Sequence, residues 1–180
     1  MTSSGLSKTI MIFLGCLMAV KVYAMPPVAV SEYELKAAYL YNFALFTTWP
    51  PEKMAADGSA VVFCVIAQDA QVASISGLQS KKLRDRSILV RPIVSPEDGR
   101  GCHVLFIGAS GAEVLPKLLE VVRDAGTLTV TDIADFARKE TVISMAIENG
   151  RLAFDVNLLN ARRARLTLSS KLLKLARSAN

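Results

Sequence analysis

Val-Val-Phe-Cys-Val-Ile, residues 61–66, is an unbroken apolar run of strand length, the pattern of a strand buried on both faces. A sheet covered on both sides needs helices between its strands, and the following residues supply them. Asp69 is placed to cap a helix running to about Leu78. Ile88 to Ile93 reads as a second strand, with Leu89 and Ile93 apolar, Arg91 exposed and Pro92 indicating an edge position. After the 96–101 loop, His103 to Ile107 is a third strand. Gly108-Ala109-Ser110-Gly111 then turns into a helix, Ala112 to Arg123, with Val114, Leu115, Leu118, Leu119 and Val122 at helical spacing. Leu128 to Thr131 is a fourth short strand, after which Asp132 can cap the turn containing Phe136. This alternation predicts an α/β domain with a largely parallel sheet and helices on both faces.

Downstream, Thr141 to Ile147 and Leu152 to Val156 flank Glu148-Asn149-Gly150-Arg151. Asn-Gly between two strand-like runs is a hairpin signal, because both central residues must take positive φ. The tail reads as a helix capped by Asn157 or Asn160 up to about Arg165, a break at Leu166-Thr167-Leu168, and a last helix from Lys171 to Arg177 capped by Ser169 or Ser170. The expected architecture is one mixed, mostly parallel sheet of about five to six strands, closed by an antiparallel hairpin and C-terminal helices.

Upstream lies SEYELKAAYLYNFALFTTWP, Ser31 to Pro50. Ser31 and Glu34 form a capping box, and Pro50 is expected to close the helix. After Glu34 only Lys36 and Asn42 interrupt the apolar residues as far as Phe46, so nearly every side of this helix must be covered. At roughly 150–250 Å² per buried ring, Tyr39, Tyr41, Phe43, Phe46 and Trp49 amount to on the order of 1,000 Å². Either other helices roof this surface, or a partner, a second copy or a small hydrophobic ligand does. Residues 51–58 read as a polar loop.

The first 24 residues predict a cleaved signal peptide. Lys8 is the positive n-region, Thr9 to Val20 is an apolar run too short to span a bilayer, and Val22-Tyr23-Ala24 is a cleavage site. Residues 25–180 then form one exported domain. Removing Lys8 and Lys21 lowers the basic count from 21 to 19 against 16 acidic side chains. That balance hides an asymmetry: no acidic residue follows Asp155, while Arg162, Arg163, Arg165, Lys171, Lys174 and Arg177 do. The C-terminal end is a positive field suited to an acidic protein or anionic lipid headgroups, and export argues against nucleic acid. Cys64 and Cys102 remain as the cysteine pair, either a disulfide favoured by an oxidising compartment or two buried thiols on neighbouring strands.

Catalytic chemistry finds little support. His103 begins a strand and Ser110 follows its other end, on the order of 20 Å away at ~3.3 Å per residue, and Gly108-Ala109-Ser110-Gly111-Ala112 misses the GxSxG elbow. One histidine and two distant cysteines make no metal-ligand cluster. Asp132 and Asp135 are better read as cap and solvated carboxylate than as cation ligands. Phe106 to Val114 could offer backbone amides to an anion, but it lacks GxGxxG and a Walker lysine. No enzyme, cofactor or metal is expected.

Four stretches, SEYELKAAYLYNFALFTTWP, GCHVLFIG, TLTVTDIADFA and ENGRLAFDVNLLNARRARLTLSSKLLKLA, together resemble the YfiR-like periplasmic proteins, from about Ser31 to Arg177. The resemblance implies a non-enzymatic repressor. It would bind the periplasmic sensor region of an inner-membrane diguanylate cyclase, YfiN, until an outer-membrane lipoprotein, YfiB, sequesters it; cyclic di-GMP and biofilm formation then rise. It also implies a homodimer and redox stabilisation through Cys64 and Cys102. Excess apolar area points to Tyr39, Phe43, Phe46 and Trp49, and to Leu166, Leu168 and Lys171, as partner-binding residues. The alternative is a periplasmic small-molecule-binding sensory domain, with a pocket lined by Tyr39, Phe43 and Trp49.

Overall fold

A computed structural model describes residues 31–56, 58, 60–134 and 139–180. The expected signal peptide and the positions of Asp135 and Phe136 lie outside the described residues. The apolar run opens as expected: β2 (Ala60–Ile66) is an interior strand of an eight-stranded sheet. Its parallel neighbours are β4 (Arg86–Pro92) and β5 (Val104–Ile107), and beyond β5 follow β6 (Leu128–Thr131) and β7 (Ile143–Glu148), all parallel. β7 pairs antiparallel with β8 (Arg151–Val156) through a two-residue turn, Asn149 at φ 51° and Gly150 at φ 73°. Two-residue strands finish the edges: β3 (Lys82–Leu83) beside β4 and β10 (Ser178–Ala179) beside β8. The order is β10-β8-β7-β6-β5-β2-β4-β3, and its five parallel strands follow the doubly wound pattern in which the first strand lies between the second and third.

Strand alternation divides the core. Val61, Phe63 and Val65 of β2 face one side with Val104 and Phe106, under α1 (Glu32–Leu45), α3 (Asp69–Ser76), α5 (Leu158–Arg163) and α6 (Ser170–Leu175). Cys64, Leu105 and Ile107 face the other side, under Leu115, Leu118, Leu119 and Val122 of α4 (Leu115–Val122). Helices therefore cover both faces, as the apolar run required.

Several local expectations are corrected. The first helix ends at Leu45 rather than near Pro50, because Thr47–Thr48 leaves as β1 and pairs antiparallel with β9 (Thr167–Leu168). Within the expected break, Thr167–Leu168 is therefore a strand. The residues after Trp49 form α2 (Pro51–Ala56), where a polar loop was expected; proline suits a first helical position. Gln68, not Asp69, is the N-cap of α3, and it makes no side-chain cap bond. A short 3₁₀ turn, Ala109–Gly111, precedes α4, which starts only at Leu115 with Pro116 in its first turn. On β4 the inward residues are Ile88 and Val90, while Leu89 is 47% exposed. The capping box of Ser31 and Glu34 forms as read, and so do the caps at Asn157 and Ser169.

Pro92 sits where its edge signal placed it. β3 pairs only with Arg86 and Ser87, leaving the rest of β4 without an outer neighbour. Along that edge the Val90 N–H donates to Gln79 Oε1 at 3.4 Å and Pro92 has no N–H to offer, which blunts the edge against strand addition.

Candidate functional site

The two stretches singled out for partner contact, one at the end of α1 and one near the C-terminus, meet. Thr47 pairs with Leu168 and Thr48 with Thr167, and the Ser169 N–H donates to the Phe46 carbonyl at 2.9 Å. Ser169 then caps α6, accepting from the Lys171 N–H at 3.2 Å. The turn out of α1 is held from inside by Thr47 Oγ1 donating to Phe43 O at 2.7 Å. From outside, Arg84 donates to the carbonyls of Leu45 and Thr47 at 3.2 and 3.3 Å. Phe46 and Lys171 thus share one end of the molecule, 125 positions apart in the chain.

Burial separates the seven residues. Phe43, Trp49, Leu166 and Leu168 are buried in the core of the single chain, so their side chains are packing rather than contact surface, a correction to the reading from apolar excess. Phe43 packs on Phe154 at 4.9 Å between ring centroids, and the Trp49 indole donates to the His103 carbonyl at 3.0 Å. Tyr39, half-buried, closes the same cluster 5.9 Å from Phe43 and 6.3 Å from Phe154. Phe46 is half-buried and Lys171 exposed. Much of the surplus apolar area of α1 is therefore roofed from within. Trp49 lines a cleft of about 150 Å³ with Met54, Val61 and Leu83, under Arg84 and Arg86. Tyr39 and Phe43 do not line it, so the three rings do not form the shared pocket that a sensory domain was expected to show.

Doubly wound sheets bind ligands outside the carboxyl ends of their strands, where strand order reverses. Beyond the carboxyl ends of β2 and β6, polar side chains of the chain itself meet. Lys36 of α1 reaches Asp132 Oδ2 at 2.7 Å and Glu32 at 2.6 Å, and Gln71 of α3 donates to the same Oδ2 at 2.8 Å. The side chains of Lys36 and Asp132 are 10% and 8% exposed. Burial pulls the Lys36 pKa down, yet its hydrogen bonds to Asp132 and Glu32 outweigh that and hold it above the ordinary lysine value. A Cβ at Gly108 would stand 2.9 Å from Gln71 Oε1, and one at Gly111 2.9 Å from Ile66 and Ile107 side chains. The glycines after β5 therefore serve close packing. The charge in Lys36 was unreadable as a core feature, since only the fold brings Asp132, 96 positions away, beneath it.

Cys64 and Cys102 are joined as a disulfide between β2 and the start of β5, with Cα atoms 5.7 Å apart and both residues fully buried. The Arg91 guanidinium lies over the bond, 3.6 and 3.8 Å from the two sulfurs, and donates to the Asp98 and Arg100 carbonyls. Asp98 in turn accepts from the Ser95 backbone and side chain, which holds its carboxyl below the usual range. His103 is buried, its Nδ1 accepting the Val62 N–H at 3.1 Å, whereas Ser110 is exposed at the opposite end of β5. Among the described residues no three His, Cys, Asp or Glu side chains converge on a metal position, and no helix is long and apolar enough to cross a membrane.

Comparison with solved structures supports the fold. A conserved domain protein from Vibrio cholerae O1 biovar El Tor aligns with a TM-score of 0.54 at 10% identity, covering 83% of this chain and 60% of that one. The ABC domain from Streptococcus pneumoniae, solved in complex with L-Trp, aligns with a TM-score of 0.56, also at 10% identity, covering 80% and 60%. The chain therefore spans about three fifths of each, and at this identity the likeness concerns architecture alone. Among curated proteins no sequence matches. The model of the YfiR/HmsC-like family, DUF4154, matches residues 33–177, nearly the whole of the sheet and its helices, and the chain belongs to that family.

Proposed function

We propose that this protein is a periplasmic regulator of cyclic di-GMP signalling that binds the periplasmic sensor region of an inner-membrane diguanylate cyclase and holds it inactive. The observation that carries this reading is the family match over residues 33–177. The end where Phe46 meets Lys171 is the contact surface this reading favours, with Tyr39 at its margin. An outer-membrane lipoprotein of the YfiB type competing for the regulator, and a homodimer as its resting form, complete the scheme.

Repression of this kind is a population shift: the regulator lowers cyclase output only by binding the inactive arrangement more tightly than the active one. Deleting the gene therefore raises cellular cyclic di-GMP and surface-attached growth, and supplying the gene in trans restores both. An unchanged cyclic di-GMP level in the deletion strain would sink the repressor assignment.

A further inference from the structure

Five large apolar side chains stand exposed among the described residues, and two of them, Leu159 and Leu175, lie in the helices on either side of β9, while Ile147 is at the hairpin end of β7. Leu175 ends α6 just before β10. Leu159 lies in α5, whose first N–H donates to the Asn180 carbonyl at 2.6 Å. Ile147 adjoins Glu148, which pairs with Arg177. Five residues of extended chain from Leu175 to Asn180 span at most about 17 Å, and Asn180 is bonded to the first residue of α5, so the C-terminal segment links the two helices.

Both helices carry the same pattern. In α5, Leu159, Arg162 and Arg163 fall at i, i+3 and i+4 on one exposed face while Ala161 is buried. In α6, Lys171, Lys174 and Leu175 repeat that spacing, also exposed, while Leu172 is buried. None of these four cations has an ion pair among the described residues. Glu140 lines a cleft with Arg163 without an ion pair to it, Glu148 and Asp155 are both engaged by Arg177, and the sequence holds no acid beyond Asp155.

We infer that this face seats on the anionic phospholipid headgroups of a bilayer, its leucines entering the interfacial layer and its cations lying along the phosphates. For Leu159, Leu175 and the cations beside them a protein interface is the weaker reading, because hot spots favour clustered aromatic and arginine anchors in desolvated pockets, whereas here single leucines are spaced among solvated cations. Lys171, at the start of α6, stays with the Phe46 junction. Surface attachment of this kind would restrict a regulator of a membrane-embedded cyclase to the plane of its target.

The purified protein is sedimented with phosphatidylcholine vesicles and with vesicles containing about 30 mol % phosphatidylglycerol, a fraction high enough for polybasic attraction. Pelleting on the anionic vesicles is expected to exceed that on neutral ones by about tenfold, and to fall several-fold in about 0.5 M salt as screening shortens the field. The Arg162→Glu/Lys174→Glu variant loses the anionic preference, and Leu159→Ser/Leu175→Ser weakens pelleting on the same vesicles, with thermal melts confirming that both stay folded. Equal pelleting on the two vesicle types, or a charge-reversed variant that pellets like the parent, overturns the proposal. So does a parent that ignores anionic vesicles yet sediments with native inner membranes, which would assign the face to a protein. The vesicles contain no cyclase, so this result is independent of cyclic di-GMP in the deletion strain.

Discussion

Lys36 interrupts an otherwise apolar helix, and its ammonium is nonetheless inside, 2.7 Å from a carboxylate that is itself 8% exposed. Removing one partner of such a buried pair leaves an uncompensated charge, so Lys36→Met is expected to cost about 3 kcal/mol, while Lys36→Met/Asp132→Leu recovers much of the loss. A double-mutant cycle by chemical denaturation measures this directly. The pH dependence has a definite sign. A lysine whose folded pKa lies above the unfolded value stabilises fully below the ordinary 10.5 and loses that contribution as pH rises through the folded value. Melting temperature should therefore drop on the alkaline side of 10.5 in the parent, and Lys36→Met should flatten that limb.

The pairing of β1 with β9 is the element that joins the two ends of the described chain, and it separates packing from contact. Trp49, buried beside His103 and bonded to its carbonyl, is a packing residue. Trp49→Ala should cost about 3–5 kcal/mol through the cavity it leaves. Phe46 is half-buried at the outer end of the same segment, and Phe46→Glu should cost about 1 kcal/mol, the ordinary range for a point change. If the junction is the repressing surface, Phe46→Glu raises cyclic di-GMP as deletion does while its thermal melt stays close to the parent's. A folded Phe46→Glu that still represses would remove the junction from the contact surface.

For the whole molecule, the disulfide ties the interior strand β2 to the start of its neighbour β5 across a sequence separation of 38. In the chain-entropy model a loop of that length stabilises by about 4 kcal/mol, so Cys64→Ala/Cys102→Ala should unfold at correspondingly lower denaturant concentration. Reductant should shift the parent toward the variant and leave the variant unmoved. An identical midpoint with and without reductant would mean that the bond adds nothing.

The strands of the parallel sheet, the hairpin turn and the helix caps were legible in the sequence because each is dictated by neighbours in the chain. VVFCVI is apolar on both faces, Asn149 and Gly150 accept positive φ, and Ser31 lies three residues before Glu34. Their mixed sheet, with helices on both faces, followed from the same signals. Helix ends and the division of apolar residues between core and surface did not. They depend on what lies opposite: Leu168 pairs with Thr47 where the helix was expected to continue, Phe154 covers Phe43, and Asp132 makes the lysine that interrupts the apolar run a buried cation. Local periodicity by itself determined that this chain makes a doubly covered sheet. Only the tertiary structure decided which apolar and charged side chains it encloses, because burial and pairing are relations between residues far apart in the chain.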